Sequence, residues 1–144
     1  MFILQENPIT LSQTKNTLPN STNGAFVSFE GIVRNDKNQN NEACLPDRQV
    51  SSLLYIADSL ECIAEGEKIL NEALKLFPLN NAICIQRIGQ VSVGEAATWI
   101  GVWASHRDEA FKGCRYIIEE IKKRLLIWKK ESFSDGTKTW VQPK

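Results

Sequence analysis

Apolar residues recur along this chain with two different periods, and these periods predict its main elements. Apolar and polar residues alternate over residues 24–34 (GAFVSFEGIVR), which predicts a strand. Apolar positions three and four residues apart predict two long helices. The first begins at Asp58 or Ser59 and is stopped by Pro78, and the second follows Ser105 and ends near Leu126.

Shorter apolar runs predict the remaining elements and, with them, the fold class. Strands are expected over residues 1–5, 50–57, 82–88, 96–104, 128–133 and 137–141, a short helix around residues 10–17, a polar loop over residues 35–48 and a turn region over residues 89–95. Asp135-Gly136 is the strongest hairpin signal. The order strand, helix, two strands, helix, hairpin predicts an α+β fold rather than a doubly wound sheet. A length of 144 residues predicts a single domain over residues 1–144.

The second helix combines an apolar face with a concentration of positive charge. Its apolar positions are Ala110, Phe111, Cys114, Ile117, Ile118, Ile121 and Leu125. Residues 112–130 carry seven basic and two acidic side chains, a net charge of +5, whereas the whole chain is neutral. Positive charge gathered at one helix end indicates a site for an anion, although a solvated helix face with exposed lysines would give the same pattern.

Composition excludes several classes of function. A chain without net charge argues against nucleic-acid binding, and no apolar run approaches the length of a membrane span. The first residues, MFILQENPIT, lack the basic region of a signal peptide. Four widely spaced cysteines and one histidine predict neither a zinc site nor a disulfide framework. We therefore expect a cytoplasmic protein that binds no metal.

Cations occur at three places where an anion could be held. Arg34 lies at the end of the strand over residues 24–34. His106 and Arg107 begin the basic helix, where free backbone N–H groups favour an anion. Lys122, Arg124 and Lys129 lie at its other end. A lysine held among other cations loses its proton more readily and can then act as a proton acceptor or nucleophile.

Five sequence blocks resemble one known family in order and spacing. They are GAFVSFEGIVRN, RIG at residues 87–89, VGE at residues 93–95, IGVWASHR at residues 100–107, and KKRLLIWKKE followed by DGTKTWV. Together they resemble the large, catalytic subunit of molybdopterin synthase, the MoaE family, over residues 24–141. The resemblance implies an α/β-hammerhead fold and a homodimer. Each large subunit would bind a small ubiquitin-like sulfur-carrier subunit.

The resemblance also implies a reaction. The carrier ends in Gly-Gly, carried as a thiocarboxylate, and its tail threads into a pocket of the large subunit. The family converts cyclic pyranopterin monophosphate (precursor Z) to molybdopterin by installing two dithiolene sulfurs. This chemistry requires no metal or redox cofactor. Two anionic groups must be held close together, which a cationic pocket shielded from water can do.

The family's functional positions map onto this sequence by motif. Lys122 and Lys129 match its two active-site lysines, Arg34 matches the arginine of its G-x-V-R-N block, and His106 with Arg107 matches its histidine–arginine pair near the dimer partner. Arg124 is assigned to substrate binding with these cations. Three departures concern loops and partner contacts: SLLYIADSLE matches the family's L-x-Y-E-x-Y segment only at Tyr55, Leu126 replaces a common proline, and the loop over residues 35–48 is rich in Asn and carries Cys44.

Two other interpretations of the sequence stay open. A non-catalytic scaffold could hold a ubiquitin-like tail or a pterin phosphate without turnover. A generic phosphometabolite-binding α+β dimer could also carry such cations, but it would leave the spacing of the five blocks to chance.

Overall fold

The computed structural model describes residues 1–14, 21–35 and 50–141. Its elements in chain order are β1 (Phe2–Gln5), α1 (Leu11–Thr14), β2 (Ala25–Ile32), β3 (Val50–Ala57), α2 (Ser59–Leu76), β4 (Asn81–Arg87), β5 (Gly89–Ser92), β6 (Ala96–Ala104), α3 (Arg107–Arg124), β7 (Ile127–Phe133) and β8 (Lys138–Trp140). The predicted strands and both long helices are therefore confirmed. Of the predicted loop over residues 35–48, all but its first residue lies outside the described residues.

The strands form two four-stranded sheets. The first has the order β1-β4-β6-β2 and the second the order β5-β3-β7-β8. The β1–β4 pair is parallel and the other pairs are antiparallel. Helices α2 and α3 pack on the first sheet. This arrangement confirms the predicted α+β class, and the strand pairing is mostly antiparallel.

The largest apolar cluster lies between the two helices and the first sheet. From the sheet it includes Cys84, Ile100 and Val102, and from α3 it includes Ile117 and Ile121, all of them buried. A second cluster joins the second sheet to Val33 and to Ala97 of β6, and a third lies on the opposite face of the first sheet around Trp99 and Trp103. Two of the four tryptophans are thus covered within the chain, whereas Trp128 and Trp140 are half exposed.

Three sequence predictions differ from the structure. Residues 89–92 form β5 rather than part of a turn, because Gly89 adopts a positive φ of 81° and lets the chain turn back to pair with β3. Phe111 is 62% exposed and lies outside the apolar face of α3, where Gly113 takes part instead. Gly113 packs against the Leu79 side chain, where an added Cβ would come within 2.7 Å, and Phe111, two residues earlier, lies about 200° around the helix from this contact. Helix α3 ends at Arg124, slightly earlier than expected.

Helix α2 begins as its sequence predicts and depends on one glycine. Asp58 caps it by accepting a hydrogen bond from the Glu61 backbone N–H at 3.2 Å. Gly66 lies against the ring of Phe2 from β1, and a Cβ at residue 66 would come within 2.4 Å of the ring. The absence of a side chain there lets α2 pack directly on the first strand.

We predict that Gly66→Ala lowers the free energy of unfolding by about 1–3 kcal/mol, because the added methyl group overpacks the contact with Phe2. Urea denaturation measures the change. Asn71→Ala, at an exposed position of the same helix, is the control and should change stability by less than about 0.5 kcal/mol. Equal stability of the two variants would contradict the close contact.

Candidate active site

A pocket opens where α3 stops covering the first sheet. Gly31, Thr98 and Gln86 are neighbours on β2, β6 and β4, and they continue the face that α3 covers farther along the strands. Because α3 ends at Arg124, this row is left as the floor of a cavity of about 300 Å³. This volume is within the range of small-molecule sites.

The walls of the pocket come from the last turns of α3 and from the second sheet. Ile118, Ile121, Lys122 and Leu125 line one side, and Leu53, Tyr55, Ile127 and Lys129 line the other. Arg34, which follows β2, completes the lining together with Trp128. Segments far apart in the sequence therefore bring Arg34, Lys122 and Lys129 to one cavity.

The register of α3 and β7 decides which lysines face this cavity. Lys122 lines it, whereas Lys123 forms an ion pair with Glu120 at 3.7 Å and is 73% exposed. On β7, Lys129 lines the cavity, while the Nζ atom of Lys130 lies 5.2 Å from the ring centroid of Trp140. Alternation along a strand places neighbouring residues on opposite faces. Both lysines assigned from the sequence therefore lie at the pocket.

Tyr55 supports Lys129 from the adjacent strand. The two residues are paired across β3 and β7, and the Lys129 Nζ lies 5.6 Å from the centroid of the tyrosine ring, within reach of a cation–π interaction. Burial raises the pKa of Tyr55 to about 12, so its phenol is neutral at neutral pH. Tyr55 thus stabilises the cation without neutralising it. The sequence showed this residue only as a loose family match.

Arg34 is positioned through the backbone that precedes it. The Val33 N–H donates to the Glu95 carbonyl at 3.0 Å, and the Gly94 N–H donates to the Val33 carbonyl at 2.9 Å. Glu95 in turn accepts from Arg87 at 3.1 Å and from the Ser92 backbone N–H at 3.0 Å. The Ser92 hydrogen bond and the Arg87 charge lower the pKa of Glu95. This network fixes the turn between β5 and β6, and the segment that follows β2 is hydrogen-bonded to that turn.

The Arg87 guanidinium is almost fully buried and joins three segments of backbone. Its side chain is 5% exposed, and besides Glu95 it donates to the carbonyl oxygens of Glu6 at 3.1 Å and Gln90 at 3.3 Å. A buried charge without such partners would be strongly unfavourable. Arg87 therefore has a structural role beside the site.

His106 and Arg107 lie away from this pocket within the same chain. His106 is the N-cap residue of α3, and Arg107 begins the helix, whereas Lys122 is in its last turn. Fifteen residues of α-helix separate Arg107 from Lys122, which corresponds to about 23 Å along the axis. The side chains of His106 and Arg107 are both exposed. The structure does not bring them together with Arg34 and the lysines.

Arg124 also lies outside the pocket lining, contrary to the substrate-binding position assigned to it from the sequence. Its guanidinium donates to Glu72 at 2.5 and 3.1 Å and to Glu65 at 2.7 Å, both on α2. Two residues along a helix correspond to about 200° of rotation, so Arg124 points away from the side of Lys122. Tyr116 adds a hydrogen bond to Glu72 at 3.0 Å. Arg124 thus joins the two long helices.

The polar floor of the pocket, formed by Gln86 and Thr98, was not predicted from the sequence. The Thr98 hydroxyl donates to the Gln86 side-chain oxygen at 2.6 Å, and the Gln86 amide nitrogen donates to the Arg87 carbonyl at 2.9 Å. A signal was present in β4, where Gln86 continues the inward-facing positions of Ala82 and Cys84. A polar residue at an inward position of a strand indicates a special environment.

Comparison with known proteins identifies the family. The model of the MoaE protein family matches residues 4–124. The molybdopterin synthase catalytic subunit of Pyrococcus abyssi is 40% identical over 122 residues, which cover 85% of this chain and 76% of that protein. The corresponding subunit of Synechococcus elongatus is 38% identical, over 93% of this chain and 77% of that protein. The chain belongs to the MoaE family.

Solved MoaE-type structures have the same fold. The crystal structure of molybdopterin synthase from Staphylococcus aureus superposes with a TM-score of 0.85 at 28% identity, covering 98% of this chain and 96% of that one. A complex of subunits 1 and 2 of molybdopterin-converting factor from Helicobacter pylori contains a chain with a TM-score of 0.73 at 18% identity. The match covers 99% of this chain and 91% of that chain. At this level of identity it shows a similar fold alone.

The blocks that resemble the MoaE family have different roles in the structure. RIG and VGE meet in the Arg87–Glu95 network, which positions the residues before Arg34. The basic block and the arginine of the first block supply the cations of the pocket. Only the histidine–arginine block ends at a place remote from this pocket.

Neither a cluster of metal ligands nor a membrane-spanning helix occurs in the described residues. Across residues 1–14, 21–35 and 50–141, no group of three or more His, Cys, Asp or Glu side chains is arranged to hold a metal ion. In the same ranges, no helix is both long and apolar enough to cross a membrane. Cys62, Cys84 and Cys114 are buried free thiols, whereas Cys44 lies outside the described residues.

We predict that Arg124→Gln destabilises the fold by about 1 kcal/mol at pH 7, because the interactions between the helices are weakened. Arg124 lowers the pKa of Glu72. A carboxylate whose pKa is lower in the folded than in the unfolded protein stabilises the fold at pH values above its unfolded-state pKa. This stabilisation is lost as the pH falls through the folded-state pKa. The difference between wild type and variant should therefore shrink as the pH is lowered below about 4.5. Urea denaturation at pH 7 and pH 3 measures it; a pH-independent difference would argue against the ion pairs.

Proposed function

We propose that this chain is the catalytic subunit of a molybdopterin synthase and that the pocket described above is its active site. Sulfur passes there from the C-terminal thiocarboxylate of a small ubiquitin-like carrier to precursor Z. The observation that carries the proposal is the convergence of Arg34, Lys122 and Lys129 on one cavity. Family membership supports the reaction class.

The charges of the pocket suit two anionic reactants. The carrier tail brings a thiocarboxylate and the substrate brings a cyclic phosphate, and the two must approach each other for sulfur transfer. Fixed cations reduce their repulsion and stabilise the charge that develops as sulfur attacks. Lys129 is braced by the Tyr55 ring, whereas Lys122 is an exposed side chain in the last turn of α3. We assign electrostatic stabilisation to Lys129 and proton transfer to Lys122.

The carrier would dock beside the pocket mouth. Ile56 and Trp128 are neighbours on β3 and β7 and are 42% and 53% exposed, and Trp128 also lines the pocket. Exposed apolar side chains next to a site support a protein-binding surface.

The buried free thiols of the described residues suit the reducing cytoplasm, where we expect the enzyme to act.

We further propose that the enzyme is a homodimer in which each subunit completes the other's site. His106 and Arg107 lie too far from the pocket of their own chain, yet their exposed position leaves them accessible to a second copy. A twofold-symmetric interface would place both pairs equivalently. The histidine–arginine pair would then hold the substrate phosphate.

We predict that Lys122→Ala and Lys129→Ala each reduce dithiolene formation at least about a hundredfold, the usual effect of losing a catalytic proton-transfer or electrostatic group. Lys123→Ala and Lys130→Ala are matched controls and should retain nearly full activity. A single-turnover assay with thiocarboxylated carrier and precursor Z measures this. Binding of both reactants without dithiolene formation by the wild type would instead support the non-catalytic scaffold.

The shared site predicts complementation between two inactive variants. Arg107→Ala and Lys122→Ala homodimers should each be impaired, whereas mixed dimers contain one site with both defects and one intact site. Random exchange of subunits should restore about a quarter of wild-type activity. Activity after mixing and subunit exchange is the measurement. No recovery, although native mass spectrometry shows that mixed dimers have formed, would overturn the shared site.

A further inference from the structure

The polar groups of the pocket are graded from its floor to its mouth. Gln86 and Thr98 are only 3% and 9% exposed. Arg34 and Lys122 are exposed, and Lys129 is half-buried. The inner end of the pocket therefore offers neutral hydrogen-bonding groups, and the outer end offers positive charge.

The polar pair on the floor occurs only where the helix no longer covers the sheet. In the neighbouring rows of the same face, Ala82 pairs with Val102 and Cys84 with Ile100, all apolar or thiol side chains packed in the core. The next row pairs Gln86 with Thr98. Burying polar side chains costs stability unless their hydrogen bonds are made. The change from apolar to polar at the pocket therefore points to a role in binding a ligand rather than in packing the core.

Gln86 is held in one orientation and retains hydrogen-bonding capacity. The hydroxyl of Thr98 occupies one lone pair of its side-chain oxygen, and the Arg87 carbonyl takes one N–H of its amide nitrogen. A primary amide has two N–H donors and two lone pairs on its oxygen. One donor and one acceptor of the same amide thus remain after these two bonds. Their complement is a lactam edge, a ring N–H beside a ring C=O.

We propose that Gln86, oriented by Thr98, is a specificity-determining residue that binds the lactam edge of the substrate's pterin ring. This assignment rests on the proposed function, which makes precursor Z the substrate. The ring enters the pocket first, and its cyclic phosphate lies toward Arg34 and the lysines. The neutral floor then meets the neutral heterocycle, and the cationic mouth meets the anion.

The Gly-Gly tail of the carrier also contains N–H and C=O groups, but it fits the floor less well. A tail enters with its charged end leading. On the floor, its thiocarboxylate would meet neutral groups and lie beyond the cations of the mouth. Stopping at Lys122 and Lys129 keeps the thiocarboxylate among positive charges and beside a substrate bound farther in.

The test compares Gln86→Leu, Thr98→Val and the control Gln90→Leu, whose glutamine is exposed on β5 and outside the pocket lining. Calorimetry gives the affinity of each protein for precursor Z, for inorganic phosphate and for the carrier with an unmodified Gly-Gly terminus. Gln86→Leu should weaken precursor binding about tenfold or more, as expected for losing two neutral hydrogen bonds. Thr98→Val, which is nearly isosteric, should weaken it about threefold by releasing the Gln86 amide.

The remaining measurements distinguish recognition of the ring from other effects. Affinity for phosphate and for the carrier should stay within about twofold of wild type, and Gln86→Leu should raise KM for precursor Z while kcat changes little, as for a group that binds substrate and transition state alike. Thermal unfolding checks that each variant is folded, and Gln90→Leu should match wild type throughout.

Unchanged precursor affinity in both floor variants would overturn the proposal, and a selective loss of carrier affinity would assign the floor to the tail. If wild type binds precursor Z in a Gln86-dependent manner but forms no dithiolene, the proposed function fails while the recognition of the ring stands.

Discussion

Helix α3 packs on the first sheet, and the position of the pocket follows from this contact. Ala110, Cys114, Ile117 and Ile121 bury one stripe of the helix against the sheet, and Gly113 lets it approach the chain at Leu79. Removing this apolar surface from water supplies the main stabilisation. The stripe also fixes how far the helix reaches. Where it ends at Arg124, the sheet face is open and a pocket results.

The same packing gives each cation at the end of α3 a different direction. The rotation of the helix directs Lys122 to the cavity, Lys123 to Glu120 and Arg124 to Glu65 and Glu72. Cations adjacent in the sequence therefore have different surroundings, because each step along a helix turns the side chain by about 100°. A net charge of +5 over residues 112–130 indicated an anion site but included residues that have other partners.

Buried polar groups make up a second level of organisation. Arg87 and Glu95 join the ends of β1 and β4 to the turn beside Arg34, and Gln86 with Thr98 forms the floor of the pocket. Each of these four side chains has at least one partner at hydrogen-bond distance, which removes much of the cost of burying it. The first pair positions the backbone before Arg34, a cation of the pocket lining, whereas the second presents an amide to the cavity. The RIG block thus has a structural role, because its Arg87 holds backbone segments together beside the pocket.

The amino-acid sequence predicted most of the elements and the class of the fold, because the periods of apolar residues reflect which side of a helix or strand is buried. It also determined that Lys122 and Lys129 belong together, through their match to a family motif. The three-dimensional structure was needed to show that Gln86 and Thr98 lie at the pocket, that Arg124 joins the helices, and that residues 89–92 form a strand. These outcomes depend on contacts between residues distant in the chain, such as Arg124 with Glu65 or Tyr55 with Lys129. Local patterns carry no information about which distant side chain will be the partner.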